Sequence, residues 1–229
     1  MDLEFNWEIK KTSRKKTISF IIKNDILQVI TPQTLSDNEI ELLIHKKSKW
    51  IKNKLKANKL KAKIVSKNFE TDEKFLFLGK NYPIKFISHS KNLVKLQLDE
   101  IHAFINTKKY SDLSYRKKIV QQWFKDKALL FLTNMTKDFA QEINLTPGLV
   151  KIRSYKYRWG SCNSKGVITY NWKLIMAPES IIKYVVVHEL CHRKHFNHSN
   201  DFWNEVSKYI PDYKYQREWL NQNTNIFEW

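Results

Sequence analysis

The sequence predicts an α+β fold: a β-rich N-terminal lobe over residues 1–108, then a mainly helical domain over residues 109–229. Three observations predict it. Short β-branched and aromatic runs separated by turn residues fill the first lobe. A long stretch with apolar residues at three- and four-residue steps begins after residue 113. Residues 188–198 read His-Glu-Leu-Cys-His-Arg-Lys-His-Phe-Asn-His and close an apolar helical segment.

The elements follow in order. Residues 17–22 and 26–31 are strand-like, separated by Lys23-Asn24-Asp25, and Pro32 ends that pair. Ser36 and Glu39 have the spacing of a capping box, opening a helix whose apolar stripe holds Ile40, Leu43, Ile44, Trp50 and Ile51. Strands at 74–78 and 82–88 are joined by the turn Gly79-Lys80-Asn81, and strands at 93–98 and 101–105 complete the lobe. A helix over about 114–144 aligns Val120, Trp123, Phe124, Leu130, Phe131, Met135 and Phe139 towards a core, with Pro147-Gly148 as its stop. Two strands at 150–159 and 167–177 form a hairpin around a Gly-Ser-Cys-Asn-Ser-Lys-Gly turn. Pro178 and Glu179 suit the first turn of a helix that is apolar nearly all round from Ile181 to Leu190, and therefore buried. Ser199 caps a last core helix with Phe202, Trp203 and Val206, ended by Pro211. Long helix, hairpin, motif helix and closing helix, in that order, make a compact zincin-like core.

The motif explains why. On a helix, His188 and His192 project from one face and can grip one ion, while Glu189, one position round, can take a proton from water without ligating. Zinc at a catalytic site takes three protein ligands and keeps one position open. His195 lies seven residues from His188, about 10.5 Å along a continuing helix, too far for the same ion. The chain must turn back, with Asn197 the residue most willing to adopt a left-handed conformation, which brings His198 towards the metal. Glu205 is the fallback third ligand. No Met follows the motif, which disfavours a metzincin.

Composition sets the frame. The chain has 229 residues, 42% hydrophobic and 14% aromatic, a globular balance with one good core. There is no secretory leader pattern in residues 1–10 and no membrane-crossing apolar run, so no membrane partner is expected. Two cysteines, Cys162 and Cys191, make no disulfide framework and suit a reducing, cytoplasmic compartment. A net charge of +18 and a pI near 9.7 attract polyanions. Lysines concentrate over residues 46–67, where Lys52, Lys56, Lys59 and Lys63 are candidate nucleic-acid contacts, with a solvated lysine face as the ordinary alternative.

Arg-Trp-Gly-Ser-Cys at 158–162, Tyr170-Asn171, Tyr-Val-Val-Val-His-Glu-Leu-Cys-His at 184–192 and Asn-His-Ser-Asn-Asp-Phe-Trp at 197–203 resemble the YgjP-like zinc metallopeptidase family, itself similar to WLM and SprT-type (Spartan-like) domains. The resemblance implies zinc on His188, His192 and His198, Glu189 as general base, and a cytosolic protein. It leaves the substrate open. Peptide or unfolded protein leads, and a nucleoside triphosphate (UTP) pyrophosphatase or a nucleic-acid-associated module with a structural zinc closed by Cys162 are the alternatives. Arg158 is a candidate to steady an oxyanion or a substrate carboxylate. Trp159, Ser161 and Asn171 are candidates for the substrate wall, with packing and loop bonding as their ordinary roles; Gly160 serves the turn.

Overall fold

The computed structural model describes residues 4–23, 25–59, 67–146 and 148–228, without the side chains of residues 57–59. They form two compact units, Met1–Lys63 and Ile64–Trp229.

In the first unit β1 (Trp7–Thr12) runs parallel to β3 (Ile26–Pro32), and β2 (Ser19–Lys23) pairs antiparallel with the other side of β3. The expected capping box is formed: the Ser36 hydroxyl accepts the Glu39 N–H, and the Glu39 carboxylate accepts the Ser36 N–H at 2.9 Å. It starts α1 (Asp37–Lys46), and α2 (Ser48–Lys59) follows. Leu27 and Val29 of β3 are sealed by Ile40 and Ile44 of α1 and Ile51 and Leu55 of α2. Trp50, expected on this stripe, is half exposed.

The second unit begins with β4 (Lys74–Phe77), β5 (Lys80–His89), β6 (Leu93–Gln97) and β7 (Glu100–Asn106), in the sheet order β4-β5-β7-β6. Helix α3 (Leu113–Glu142) is capped by Asp112, whose carboxylate accepts the Tyr115 N–H. It ends close to where expected, but the stop is made at Asn144, ahead of the Pro147-Gly148 pair. Asn144 takes a left-handed φ of 56°, and the Leu145 and Asn144 N–H groups return to the carbonyls of Ala140 and Gln141, a Schellman ending with Asn in place of Gly. Phe75 and Phe77 pack against Phe124 and Trp123 of α3, ring centroids 6.4 and 5.3 Å apart for Phe75–Phe124 and Phe77–Trp123. One core therefore joins this sheet to α3, and the boundary expected at residue 108 falls inside the second unit.

The hairpin expected between residues 150–159 and 167–177 is not formed; the antiparallel partner comes instead from the segment expected to be its turn. β9 (Gly160–Cys162) pairs antiparallel with β10 (Ile168–Asn171), while β8 (Val150–Arg153) lies parallel to β10 on its other side. Residues 154–159 leave the sheet because side chains bond their backbone and hydroxyl groups: Asn171 Nδ2 donates to the Tyr155 carbonyl at 3.1 Å, and Trp172 Nε1 donates to Ser154 Oγ at 2.9 Å. A 3₁₀ turn, Trp172–Met176, leads to α4 (Glu179–Cys191). The β4–β5 turn docks onto this lead: the Leu78 N–H donates to the Ile175 carbonyl, and Gly79, at φ 77°, lies so close that a Cβ would stand 2.9 Å from Pro178 Cα. Then come α5 (Asn200–Tyr209), capped by Ser199, and α6 (Tyr213–Asn223), which the sequence reading did not foresee. Among the described residues, no helix is long and apolar enough to cross a membrane.

Candidate metal centre

From Ile181 to Cys191 helix α4 is buried except at Lys183 and His188, so His188 and Glu189 are delivered from the core while His192 caps the helix at the rim. The chain then turns and returns His198. Asn197 is not among the left-handed residues; instead its Oδ1 accepts the Ser199 N–H, and Ser199 starts α5. The ligand-capable atoms of His188, His192 and His198 lie within 4.8 Å of one another, the one group of this kind among the described residues. His188 Nε2 and His198 Nε2 are 3.1 Å apart. His192 Nδ1 lies 3.0 Å from the His195 carbonyl, so that nitrogen is the donor and Nε2 is the one free to ligate. His195 thus serves through its backbone.

Phe202 lies beneath all three rings, its centroid 4.9, 4.6 and 4.8 Å from those of His188, His192 and His198. Trp203 stacks on His198 at 5.5 Å and on Tyr213 at 5.0 Å. The aromatic floor holds the imidazoles in orientation, and it comes from the first turn of α5.

Burial lowers the His188 imidazole to about 3, reinforced by His192, His198 and then Arg217; His198 is lowered in the same direction, by burial first. Neutral nitrogens facing one point are what a divalent cation requires. Burial also raises the Glu189 carboxyl to about 8, with Arg158 opposing. Glu189 Oε2 is buried with no hydrogen-bond partner among the described residues, a cost of about 1–3 kcal/mol unless a cation or a reacting group satisfies it. The residues present therefore fit a metal.

The centre opens into a cavity of about 500 Å³ lined by Arg158, Glu189, Tyr184 and Arg217 besides the histidines. Gly160 does more than serve a turn. A Cβ there would stand 2.5 Å from Glu189 Oε1, so β9 passes directly against the carboxylate. Ser161 Oγ is engaged 3.0 Å from the Tyr155 hydroxyl. Trp159 lines the cavity yet packs edge-on against Phe227 at 5.2 Å. Asn171 is buried and holds the 155–158 loop, so it positions Arg158 rather than facing the cavity.

Glu205, the fallback ligand, points elsewhere: its carboxylate oxygens meet Lys194 and Lys208, each at 2.6 Å. Cys162 lines the cavity but stands outside the histidine cluster, with burial raising its thiol. Lys52 and Lys56 are exposed on α2, Lys52 paired with Glu4 at 2.8 Å; the Lys59 side chain and Lys63 lie outside the described residues. Tyr184 and Arg217 are among the cavity residues that the sequence did not single out. Tyr184 stands one helical turn before His188 and was legible from that spacing. Arg217 had no local signal, because only the packing of α6 brings it to the site.

None of the curated proteins compared matches the chain. Two solved structures of archaeal metallopeptidase zymogens do. Abylysin of Pyrococcus abyssi is 25% identical, over 39% of this chain and 90% of that one, with a TM-score of 0.37. Jannalysin of Methanocaldococcus jannaschii is 18% identical, over 38% and 92%, with a TM-score of 0.33. The model of the YgjP-like metallopeptidase domain matches residues 16–223, nearly the whole chain, and the chain belongs to that family.

Proposed function

We propose that the chain is a zinc-dependent peptidase, with His188, His192 and His198 as the metal ligands and Glu189 as the general base. The observation that carries this reading is the convergence of three ligand atoms within 4.8 Å beside a buried, partnerless carboxylate oxygen. Zinc bound there supplies Lewis-acid chemistry: it makes water nucleophilic near neutral pH and polarises a carbonyl oxygen. Glu189 accepts the proton of the attacking water and returns it to the leaving amine. Its raised basicity suits that task, and the positive charge of Arg158, with that of a cation held by the imidazoles, populates the carboxylate form.

β9 is an edge strand of the order β8-β10-β9, and an extended peptide adding to that edge passes beside Glu189. Arg158 faces the same cavity and is placed to steady the developing oxyanion or a substrate carboxylate. Nucleotide hydrolysis, the competing expectation, calls for carboxylates that hold Mg²⁺ against phosphates. Among the described residues, Glu189 is the one carboxylate lining the cavity. The lysines of α2, Lys52 and Lys56 among them, are proposed as a nucleic-acid contact, in keeping with the net charge of +18.

The test is Glu189→Gln. The variant is expected to retain about one zinc per chain and to lose at least about 10²-fold in turnover of an unfolded-protein substrate. Undiminished hydrolysis would remove Glu189 as the base.

A further inference from the structure

Building on the peptidase reading, we propose that the site selects peptides with a carboxylate beside the scissile bond, received by Arg217 together with Arg158. Both guanidiniums line the cavity that holds the histidines and Glu189. They reach it from different elements. Arg217 stands on α6, its Cζ 5.0 Å from the centroid of the Trp203 ring. Arg158 stands on the loop ahead of β9, its Cζ 5.5 Å from the centroid of the Tyr155 ring. Their fields fall on different parts of the centre: Arg217 acts on His188, His198 and Tyr184, and Arg158 acts on Glu189.

Each guanidinium is held by an aromatic platform that is itself fixed. Trp203 stacks on both Tyr213 and His198, and the Tyr155 hydroxyl is tied to Ser161. Contact with a ring face restrains the guanidinium and leaves its in-plane N–H donors open. Among the described residues, the ion pairs are made by lysines and His102, so neither arginine has a carboxylate partner. Glu189, the one acid lining the cavity among the described residues, lies against Gly160. Two restrained cations that form no ion pair among the described residues, in a cavity beside the β9 edge, present open N–H donors to an anion brought by the substrate. The planar fork of arginine matches a carboxylate bidentately. An Asp or Glu side chain and a peptide's terminal carboxylate supply the same group.

Binding to zinc-loaded Glu189→Gln protein tests this separately from hydrolysis. Three matched peptides are compared by calorimetry: one with an acidic side chain and an amidated C-terminus, one neutral with a free C-terminus, and one neutral and amidated. Either acidic form is expected to bind at least about tenfold tighter than the neutral one, and the better of the two identifies the source of the carboxylate. Arg217→Ala in the same background is expected to abolish that ratio and Arg217→Lys to restore part of it; Arg217 is exposed, so these variants keep the fold. Equal binding of all three peptides, or equal weakening of all three by Arg217→Ala, overturns the proposal. So does Arg217-dependent binding of a nucleoside triphosphate with no preference among the peptides. A preference for acidic peptides that the zinc-loaded wild type does not hydrolyse upholds the carboxylate clamp and sinks the peptidase reading instead.

Discussion

Gly160 and Glu189 show how a single missing side chain can decide chemistry. The strand carries Gly160 past the carboxylate so closely that a methyl group would sit 2.5 Å from Oε1, well inside any allowed contact. Gly160→Ala must therefore displace Glu189 or β9. Displacements of about 1 Å at a reacting group cost on the order of 10²-fold in rate, so kcat of this variant is expected to fall by about that factor while zinc content is unchanged. An unchanged kcat in a steady-state assay would mean that the close approach has no catalytic consequence. At this scale much was legible beforehand: the i, i+4 spacing of His188 and His192 needs only a helix. His198 required knowing that the helix stops, and Gly160 and Arg217 required the tertiary packing, which leaves no trace in local periodicity.

At the scale of elements, α5 is tied to the turn after α4 through Glu205. Hydrogen bonds from Lys194 and then Lys208 hold the Glu205 carboxyl below the ordinary range. A depressed folded-state value contributes stability above the unfolded carboxylate's pKa and loses it as pH falls through the folded value. In urea unfolding near neutral pH, Glu205→Gln is expected to cost about 1–2 kcal/mol with zinc still bound, and the gap from wild type is expected to close as the pH drops below about 4. A gap that persists in acid, or loss of zinc, would contradict the structural role.

Legibility was uneven among the elements. The capping box and the buried α4 follow directly from residue spacing. On α3 the buried residues are Val120, Trp123, Phe124, Ala128, Leu132, Thr136 and Ala140, whereas Leu130 is 59% exposed; the small residues Ala128, Thr136 and Ala140 mark the true stripe more weakly than the larger apolar residues beside it. β1 buries no residue fully, and α6 buries only Gln216 and Leu220, so neither carries an apolar signature. The strand expected over 150–159 was interrupted by side chains 13 to 18 residues away in sequence.

For the whole molecule, the division between Lys63 and Ile64 separates two cores, one around Val29 and Ile44 and one around Phe124 and Tyr170. Composition placed the change of character later because β4–β7 read as a continuation of the first lobe. The charge of +18 belongs to this scale as well. If α2 meets nucleic acid, binding of duplex DNA weakens steeply with salt, and replacing both Lys52 and Lys56 by Glu removes about two phosphate contacts from the slope. A salt-independent or absent interaction at low ionic strength, in a fluorescence titration, returns those lysines to solvent.

The central claim concerns three imidazoles from α4 and the return loop converging on one metal that no sulfur shares. X-ray absorption at the zinc edge of the loaded protein reads that shell directly. The account predicts only light-atom neighbours at about 2.0–2.1 Å with an imidazole signature, reduced in His198→Ala. A sulfur neighbour at about 2.3 Å, bringing Cys162 into the shell, or a spectrum indifferent to His198→Ala, would contradict it.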